Sequence, residues 1–213
     1  MLSPTLPHDR VDLYDRIAPQ YDKLHSRWLR YAGGEAQAAL EAAVRAIATP
    51  HTRLLDAGCG TGRFARNLME EGMPADRMTL LDPSEQMLAK CADLPLPKVK
   101  ARLEELPFQD GEFDIVACAW ALETTSSTEA AIAELCRVVS KGGVLCIAFC
   151  ADVSTGSLAS WVMQQALLRR NTGSFLQRDA VAAMIRNCGR FDIRTLPCNG
   201  PVAALIARRV DTD

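Results

Sequence analysis

The stretch Arg53-Leu54-Leu55-Asp56-Ala57-Gly58-Cys59-Gly60-Thr61-Gly62-Arg63-Phe64-Ala65 decides the fold class. It is typical of a short buried strand that ends in an acid, a turn with three glycines and the start of a helix. In an open α/β sheet, ligands bind at the carboxyl ends of the strands where the strand order reverses. Glycine suits such a turn because a Cβ would block close approach of a ligand or forbid a positive φ.

The glycine spacing separates two cofactor classes. A dinucleotide fingerprint, G-x-G-x-x-G, requires a glycine at position 63, where this chain has Arg63. The spacing D-x-G-x-G-x-G instead resembles the first motif of class I S-adenosylmethionine-dependent methyltransferases. That resemblance implies that Asp56, Gly58, Gly60 and Gly62 bind the methionine part of the cofactor. The glycines alone also allow a tight strand-to-helix turn with no ligand.

A second acid, Asp82, ends the next apolar run, twenty residues after Gly62. A carboxylate at the tip of a second strand can accept hydrogen bonds from both ribose hydroxyls of an adenosine. The resemblance assigns Asp82 this role, and it places Met87 beside the same cofactor. The alternative role for Asp82 is the N-cap of a helix predicted over residues 84–92.

The segment that follows the third predicted strand resembles the adenine-binding part of the family. Many relatives have an aspartate where this chain has Arg102, so the adenine amino group lacks its usual acceptor here. The resemblance leaves the backbone N–H of Leu103 and the carboxylate of Glu104 or Glu105 as adenine contacts. Two solvated glutamates are the alternative interpretation.

The end of the fourth strand also departs from the family pattern. Relatives often have a histidine where this chain has Thr124, so Glu123 becomes the candidate to position the acceptor or act as a base. An acid at a helix start is its alternative interpretation. The resemblance places Cys118 beside the cofactor. A base is needed only for acceptors that must lose a proton, so the missing histidine favours thiolates and neutral amines.

The resemblance covers about residues 10–209 and is closest to the small-molecule branch that includes ubiquinone and menaquinone biosynthesis methyltransferases. In that branch a tyrosine lies over the cofactor, which implies this role for Tyr21; an amphipathic helix anchor is the alternative. The implied reaction is in-line methyl transfer from S-adenosyl-L-methionine to a small-molecule acceptor, giving S-adenosyl-L-homocysteine. The alternatives are a non-catalytic cofactor-binding or scaffold protein and, less favoured, a nicotinamide-dependent oxidoreductase.

Apolar runs alternate with helical spacing along most of the chain, which predicts β-α units on a parallel sheet. The pattern and the family resemblance predict a doubly wound, seven-stranded, mostly parallel sheet of order 3-2-1-4-5-7-6, with a C-terminal antiparallel hairpin and an N-terminal helical cap. The predicted strands cover residues 54–55, 78–81, 99, 115–118, 144–150, 191–196 and 202–208. The predicted helices cover 11–23, 35–48, 61–72, 84–92, 126–140 and about 177–188, with capping boxes at 126–129 and 174–177 and a flexible Gly33-Gly34 pair.

We expect one domain over residues 1–213. It would comprise a tail and cap helices over 1–50, a cofactor-binding core over 51–150, a lid insertion over 151–176, and the last helix and hairpin over 177–213. The length is sufficient for one full hydrophobic core.

The composition limits the partners. The chain has 24 Lys and Arg residues against 26 Asp and Glu residues, so no global positive field favours nucleic acid. The longest apolar run has eight residues, which is too short for a membrane-spanning helix. No apolar signal segment opens the sequence, and its eight cysteines form no C-x-x-C pair, so we expect a cytoplasmic protein with reduced thiols and no metal site.

Overall fold

A seven-stranded sheet of order β3-β2-β1-β4-β5-β7-β6 forms the centre of the computed structural model, which describes residues 9–152 and 175–210. This order confirms the predicted one. The strands are β1 Leu54–Ala57, β2 Met78–Leu81, β3 Lys98–Val99, β4 Phe113–Ala119, β5 Val139–Cys150, β6 Phe191–Leu196 and β7 Val202–Arg209. The first five pair in parallel, whereas β7 is antiparallel to both β5 and β6.

Helices cover both faces of the sheet. They are α1 Asp9–Ile17, α2 Tyr21–Trp28, α3 Gly34–Ile47, α4 Arg63–Glu70, α5 Glu85–Ala89, α6 Thr128–Val138 and α7 Arg178–Asn187. Along β5, Leu145, Ile147 and Phe149 join one apolar core, and the alternate residues from position 144 join the other. Because both faces are buried there, this strand is continuously apolar in sequence from Val144 to Cys150. No helix within the described ranges is both long and apolar enough to cross a bilayer.

The C-terminal hairpin is confirmed. Strands β6 and β7 are joined by residues 197–201, and Gly200 has a φ of 89°, in the left-handed region that glycine adopts readily. Asn199 donates hydrogen bonds from its backbone and side-chain nitrogens to the Glu35 carboxylate, both at 2.9 Å. The hairpin is thereby tied to the first turn of α3.

The N-terminal cap differs from the prediction in how its helices join. A 3₁₀ turn, Ala18–Gln20, links α1 to α2, and a π-helical turn, Leu29–Gly33, leads directly into α3. The predicted flexible glycine pair is therefore wrong. A Cβ at Gly33 would stand 2.5 Å from Nε1 of Trp28 and 3.0 Å from the ring of Trp120, so close packing explains this glycine.

Both predicted helix caps are wrong in register. Ser127, not Ser126, caps α6, because its Oγ accepts the N–H of Ala130 at 3.2 Å. The N-cap of α7 is Gln177, which has an extended backbone and makes no side-chain cap, whereas the predicted cap residue Ser174 lies outside the described residues. The predicted lid lies mostly in residues 153–174, outside the described part of the chain.

A buried hydrogen bond attaches the cap to the sheet. Trp120, just beyond β4, donates from Nε1 to Oε1 of Gln37 on α3 at 2.7 Å, and both residues are buried. The ring of Trp28 meets that of Trp120 edge-on, with centroids 5.5 Å apart. Helix α3 is thus fixed relative to the carboxyl end of β4.

Replacing Gln37 by alanine should leave the buried indole N–H of Trp120 without an acceptor. An unsatisfied buried donor costs about 1–3 kcal/mol, so the free energy of unfolding should fall by about that amount. Urea denaturation measures the change. Gln109→Ala, at an exposed position, is the matched control and should change stability by less than about 0.5 kcal/mol. Equal losses in the two variants would contradict the assigned role of the bond.

Candidate functional site

A crevice opens at the carboxyl ends of β1, β2 and β4, where the strand order reverses. It holds about 670 Å³ of empty space, its open mouth included. Its walls come from α1, α2, the loops after these three strands, and the segment after β3. The lining residues are Arg10, Val11, Tyr14, Tyr21, Gly58, Gly60, Asp82, Pro83, Ser84, Met87, Arg102, Leu103, Glu104, Ala119, Trp120, Ala121, Thr124 and Thr125.

The glycine loop after β1 turns through left-handed backbone conformations. The φ angles of Gly58, Gly60 and Gly62 are 77°, 53° and 75°. The N–H groups of Gly58 and Cys59 both donate to the carbonyl of Leu81, at 2.7 and 2.9 Å. A Cβ at Gly58 would stand only 2.3 Å from that of Ala121. The loop is therefore held tightly between the ends of β2 and β4.

Asp82 joins the loops after β1 and β2. Its Oδ2 accepts the N–H of Gly60 and its Oδ1 accepts the N–H of Ser84, both at 2.9 Å. Burial raises the pKa of Asp82 to about 6, although the two backbone hydrogen bonds oppose the shift. The N-cap of α5 is Ser84, which accepts the N–H of Met87, so Asp82 does not have the alternative N-cap role. Each carboxylate oxygen keeps a lone pair for a ligand.

Asp56 lies beneath the same loop. It is 4% exposed, and its Oδ2 has no hydrogen-bond partner among the described residues. Burial, with a smaller effect from the charges of Asp82 and Glu41, raises its pKa to about 8. Asp56 does not itself line the crevice. A cation bound nearby would favour the ionised form of this buried carboxyl group and lower its pKa.

The N-terminal helices close the crevice from above. The ring of Tyr21 lies over the loop, 3.6 Å from where a Cβ of Gly60 would be. Three hydrogen-bonding groups of the cap reach three different loops. Arg10 donates to the carbonyl of Glu123. Asp15 accepts hydrogen bonds from the hydroxyl of Ser84 and the N–H of Gln86. Asp22 accepts one from the hydroxyl of Thr61. Each loop after β1, β2 and β4 is thus fixed to the cap.

The side of the crevice near β3 is apolar at its base and polar at its rim. Met87 and Leu103 are buried there, 1% and 4% exposed, and suit a flat apolar group. Glu104 lines the crevice but already accepts the N–H and hydroxyl of Ser126, both at 2.6 Å. Burial opposes the ionisation of Glu104, yet these hydrogen bonds dominate and lower its pKa. Arg102 lies exposed at the rim.

The loop after β4 forms the opposite side. Trp120 has a φ of 61°, the only left-handed non-glycine residue in the described ranges. Such strain is typical of functional sites, where the surrounding structure holds it. Tyr14 also lines this side. Tyr14, Arg10 and Trp120 were not predicted as site residues from the sequence. Arg10 and Tyr14 lie four residues apart on one helix face, and this spacing is the signal that could have found these two residues.

Four predicted site residues lie outside the crevice lining, namely Asp56, Gly62, Cys118 and Glu123. Gly62 packs against Cys91 and Leu94, where a Cβ would come within 2.9 Å of either side chain. Cys118 is fully buried in the core. Glu123 is 3% exposed and accepts the N–H of Cys150 at 3.3 Å, and burial raises its pKa. The structure therefore places these residues behind the walls of the crevice.

Comparisons with known proteins show the family to which the chain belongs. A family model described as a methyltransferase domain matches residues 55–147. A malonyl-[acyl-carrier protein] O-methyltransferase of Enterobacter lignolyticus is 31% identical over 188 residues, covering 86% of this chain and 70% of the relative. A ubiquinone/menaquinone biosynthesis C-methyltransferase of Methylobacterium nodulans is 30% identical over 146 residues, covering 65% of this chain and 58% of the relative. The chain spans between 35% and 70% of the lengths of the first curated relatives.

A solved structure from Thermotoga maritima has the same fold. It is titled a SAM-dependent methyltransferase, possible histamine N-methyltransferase, and superposes with a TM-score of 0.70. The match covers 94% of this chain and 99% of that one at 19% identity. At that identity the likeness concerns the fold, and a fold does not determine a substrate.

Replacing Gly58 by alanine should destabilise the protein, since the new Cβ meets Ala121 at 2.3 Å and the φ is 77°. Gly142→Ala is the matched control, because Gly142 has a similar φ of 71° with nothing within 4 Å of the added Cβ. Both variants carry the backbone strain, so the difference between them measures the clash, about 1–3 kcal/mol. Thermal and urea unfolding measure it. Equal destabilisation of both variants would contradict the close approach of the two loops.

Replacing Asp56 by asparagine should change how stability depends on pH. In the folded protein burial raises the pKa of Asp56 to about 8, whereas the unfolded chain ionises this group near 3.8. The folded state therefore binds an extra proton, and this group lowers the free energy of unfolding as pH rises from about 4 to about 8. The Asp56→Asn variant should lose less stability than the wild type between pH 6 and pH 8.

Urea denaturation at both pH values tests this expectation. Asp76→Asn, whose side chain is 76% exposed, is the control and should follow the wild type. Parallel loss of stability in the wild type and Asp56→Asn would show that Asp56 ionises normally.

Proposed function

Because the chain belongs to the class I S-adenosylmethionine-dependent methyltransferases, we propose that it transfers a methyl group from S-adenosylmethionine to a small-molecule acceptor. The observation that carries the proposal is the bridge of Asp82 between two loops at the switch point of the sheet. The bridge lies beside a left-handed glycine turn and close enough to Asp56 for the charge of Asp82 to raise the pKa of that group.

The residues around the crevice fit this cofactor. Asp82 offers two hydrogen-bond acceptors for a ribose diol. The buried Met87 and Leu103 offer an apolar surface on which an adenine ring can pack. Asp56, buried beneath the glycine loop, would attract the cationic methionine part through its charge without lining the crevice. Gly60 carries no Cβ where Tyr21 leans over the loop, so a ligand can pass close to the backbone.

Three of the predicted contacts are proposed in a more limited form. Glu104 already holds Ser126, so we assign it to positioning the loop before α6 while the backbone of Leu103 faces the ring. Gly62 supports the start of α4, and Cys118 supports β4 from the core. These three residues would shape the site without touching the cofactor.

The reacting centre would lie between Trp120, Tyr14 and Thr124. The sulfonium of the bound cofactor supplies an activated methyl group, so the protein has mainly to orient the acceptor and exclude water. Burial raises the pKa of Tyr14, and Tyr21 and Glu123 raise it further, so its hydroxyl stays protonated and can donate to an acceptor. Thr124, on the same side of the crevice, adds a neutral hydroxyl, which donates to the carbonyl of Ala121.

Glu123 would act through its neighbours. Its backbone carbonyl accepts a hydrogen bond from Arg10 of the cap, and its carboxyl group accepts one from the N–H of Cys150 at the end of β5. We therefore propose a positioning role for Glu123 on the acceptor side, in place of direct contact. With no histidine along the crevice lining, an acceptor that is already nucleophilic, such as a thiolate or a neutral amine, suits the site best.

The test is an assay for S-adenosylhomocysteine with a panel of thiols, amines and quinol precursors. The proposal expects acceptor-dependent formation of S-adenosylhomocysteine for at least one class. Cofactor binding without turnover on any acceptor would favour the alternative of a non-catalytic binding protein.

Two variants separate the cofactor side from the acceptor side. Asp82→Ala should weaken cofactor binding by about 10- to 100-fold, since it removes charge-assisted hydrogen bonds worth about 1.5–3 kcal/mol. Glu123→Gln keeps the side-chain acceptor for Cys150 and should leave cofactor affinity within about twofold while lowering turnover. Calorimetry gives the affinities and the assay gives kcat. Equal loss of cofactor affinity in both variants would contradict these roles.

A further inference from the structure

Two pairs of cysteines lie close together within the described ranges. Cys59 and Cys91 both donate to the carbonyl of Gly60, at 3.7 and 3.4 Å, and Cys136 and Cys188 line one groove between α6 and α7. The pairs differ in access. Cys59 is 9% exposed and Cys91 is fully buried, whereas Cys188 is exposed to solvent. A reagent in solution can therefore reach only the second pair directly.

The second pair lies in an open groove. It holds about 880 Å³ of empty space, its mouth included. Charged side chains flank the two sulfur atoms on both sides. The groove is lined by Asp110, Glu129, Ala133, Cys136, Arg137, Met184, Asn187, Cys188 and Arg209. This space admits a small peptide-sized thiol reagent. Arg137 already pairs with Asp110 and Glu134, so Arg209 is the guanidinium group of this lining that complements a carboxylate of the reagent.

Local contacts hold the two sulfur atoms in place. The Cys188 thiol donates to the carbonyl of Met184 one turn back in α7, at 3.2 Å. Arg209 donates to the carbonyls of Cys136 and Val139, which fixes a positive charge beside the buried thiol. Burial raises the pKa of Cys136 and the nearby Cys188 raises it further, while Arg209 lowers it. The exposed Cys188 is thus the first nucleophile and Cys136 the second.

We propose that Cys188 and Cys136 form a redox-active dithiol that exchanges with low-molecular-weight disulfides such as glutathione disulfide. The Cys188 thiolate attacks one sulfur of the reagent, the reagent's S–S bond breaks, and the first glutathione leaves as a thiolate that takes a proton from water. Cys136 then releases its proton to water and attacks the Cys188 sulfur. The second glutathione leaves and is protonated, so two protein thiols are oxidised and one disulfide is reduced to two thiols.

The new bond would cross-link α6 and α7 away from the crevice. Helix α6 begins close after Thr125 of the crevice lining, and Cys136 lies near its other end, about 12 Å further along at 1.5 Å per residue. The cross-link closes a loop of about 52 residues, which should stabilise the fold by restricting the unfolded chain. We expect the melting temperature to rise by about 5–10 °C, with cofactor affinity unchanged.

The experiment treats the full chain with glutathione disulfide and maps disulfides by mass spectrometry of unreduced peptides. The proposal expects a Cys136–Cys188 link that dithiothreitol reverses, and no link between Cys59 and Cys91. Cys136→Ser should trap glutathione on Cys188, and Cys188→Ser should form neither product. Cys198→Ser removes a half-buried thiol outside both pairs and should behave as the wild type.

Other results would overturn the proposal. These are oxidation of Cys59 and Cys91 before the exposed pair, a glutathione adduct that stays on Cys188 in the wild type, or no reaction where iodoacetamide alkylates Cys188. The readout is a covalent link and a melting temperature, so it is independent of methyl transfer. Failure here leaves the proposed function intact, and failure of the methyl-transfer assay leaves the dithiol intact.

Discussion

The two hydrogen bonds that Asp82 accepts from Gly60 and Ser84 hold the crevice together. They join the loop after β1 to the loop after β2 at the point where the strand order reverses. Placing a carboxylate there costs desolvation, and the raised pKa of Asp82 reflects that cost. The bonds also leave lone pairs for a ligand, so the same group that orders the two loops can bind a ribose.

The cap covers one side of the crevice. Arg10, Asp15 and Asp22 each reach a different loop, and Tyr21 covers the glycine turn. Because hydrogen bonds between partly exposed groups contribute only about 0.5–1.5 kcal/mol each, several such contacts can hold a cover that still opens. An exchangeable cofactor and a dry reacting centre require that combination.

The sequence predicts those features that depend on local pattern. The glycine loop, the alternation of apolar runs and the Asn199-Gly200 turn each carry their signal within a few residues, and the sheet has the expected order. The capping of α6 by Ser127 was missed because Glu104, distant in sequence, binds Ser126. The left-handed Trp120 depends on tertiary contacts in the same way, as do the contacts of the cap, and no local pattern specifies them.

Calorimetric titration of the purified protein with S-adenosylmethionine and S-adenosylhomocysteine, with NAD as the control, tests the central claim most directly. The account predicts saturable one-to-one binding of the first two ligands and none of NAD, because Arg63 replaces the glycine that a dinucleotide site requires. Folded protein that binds neither sulfur compound, or that binds NAD equally well, would contradict it.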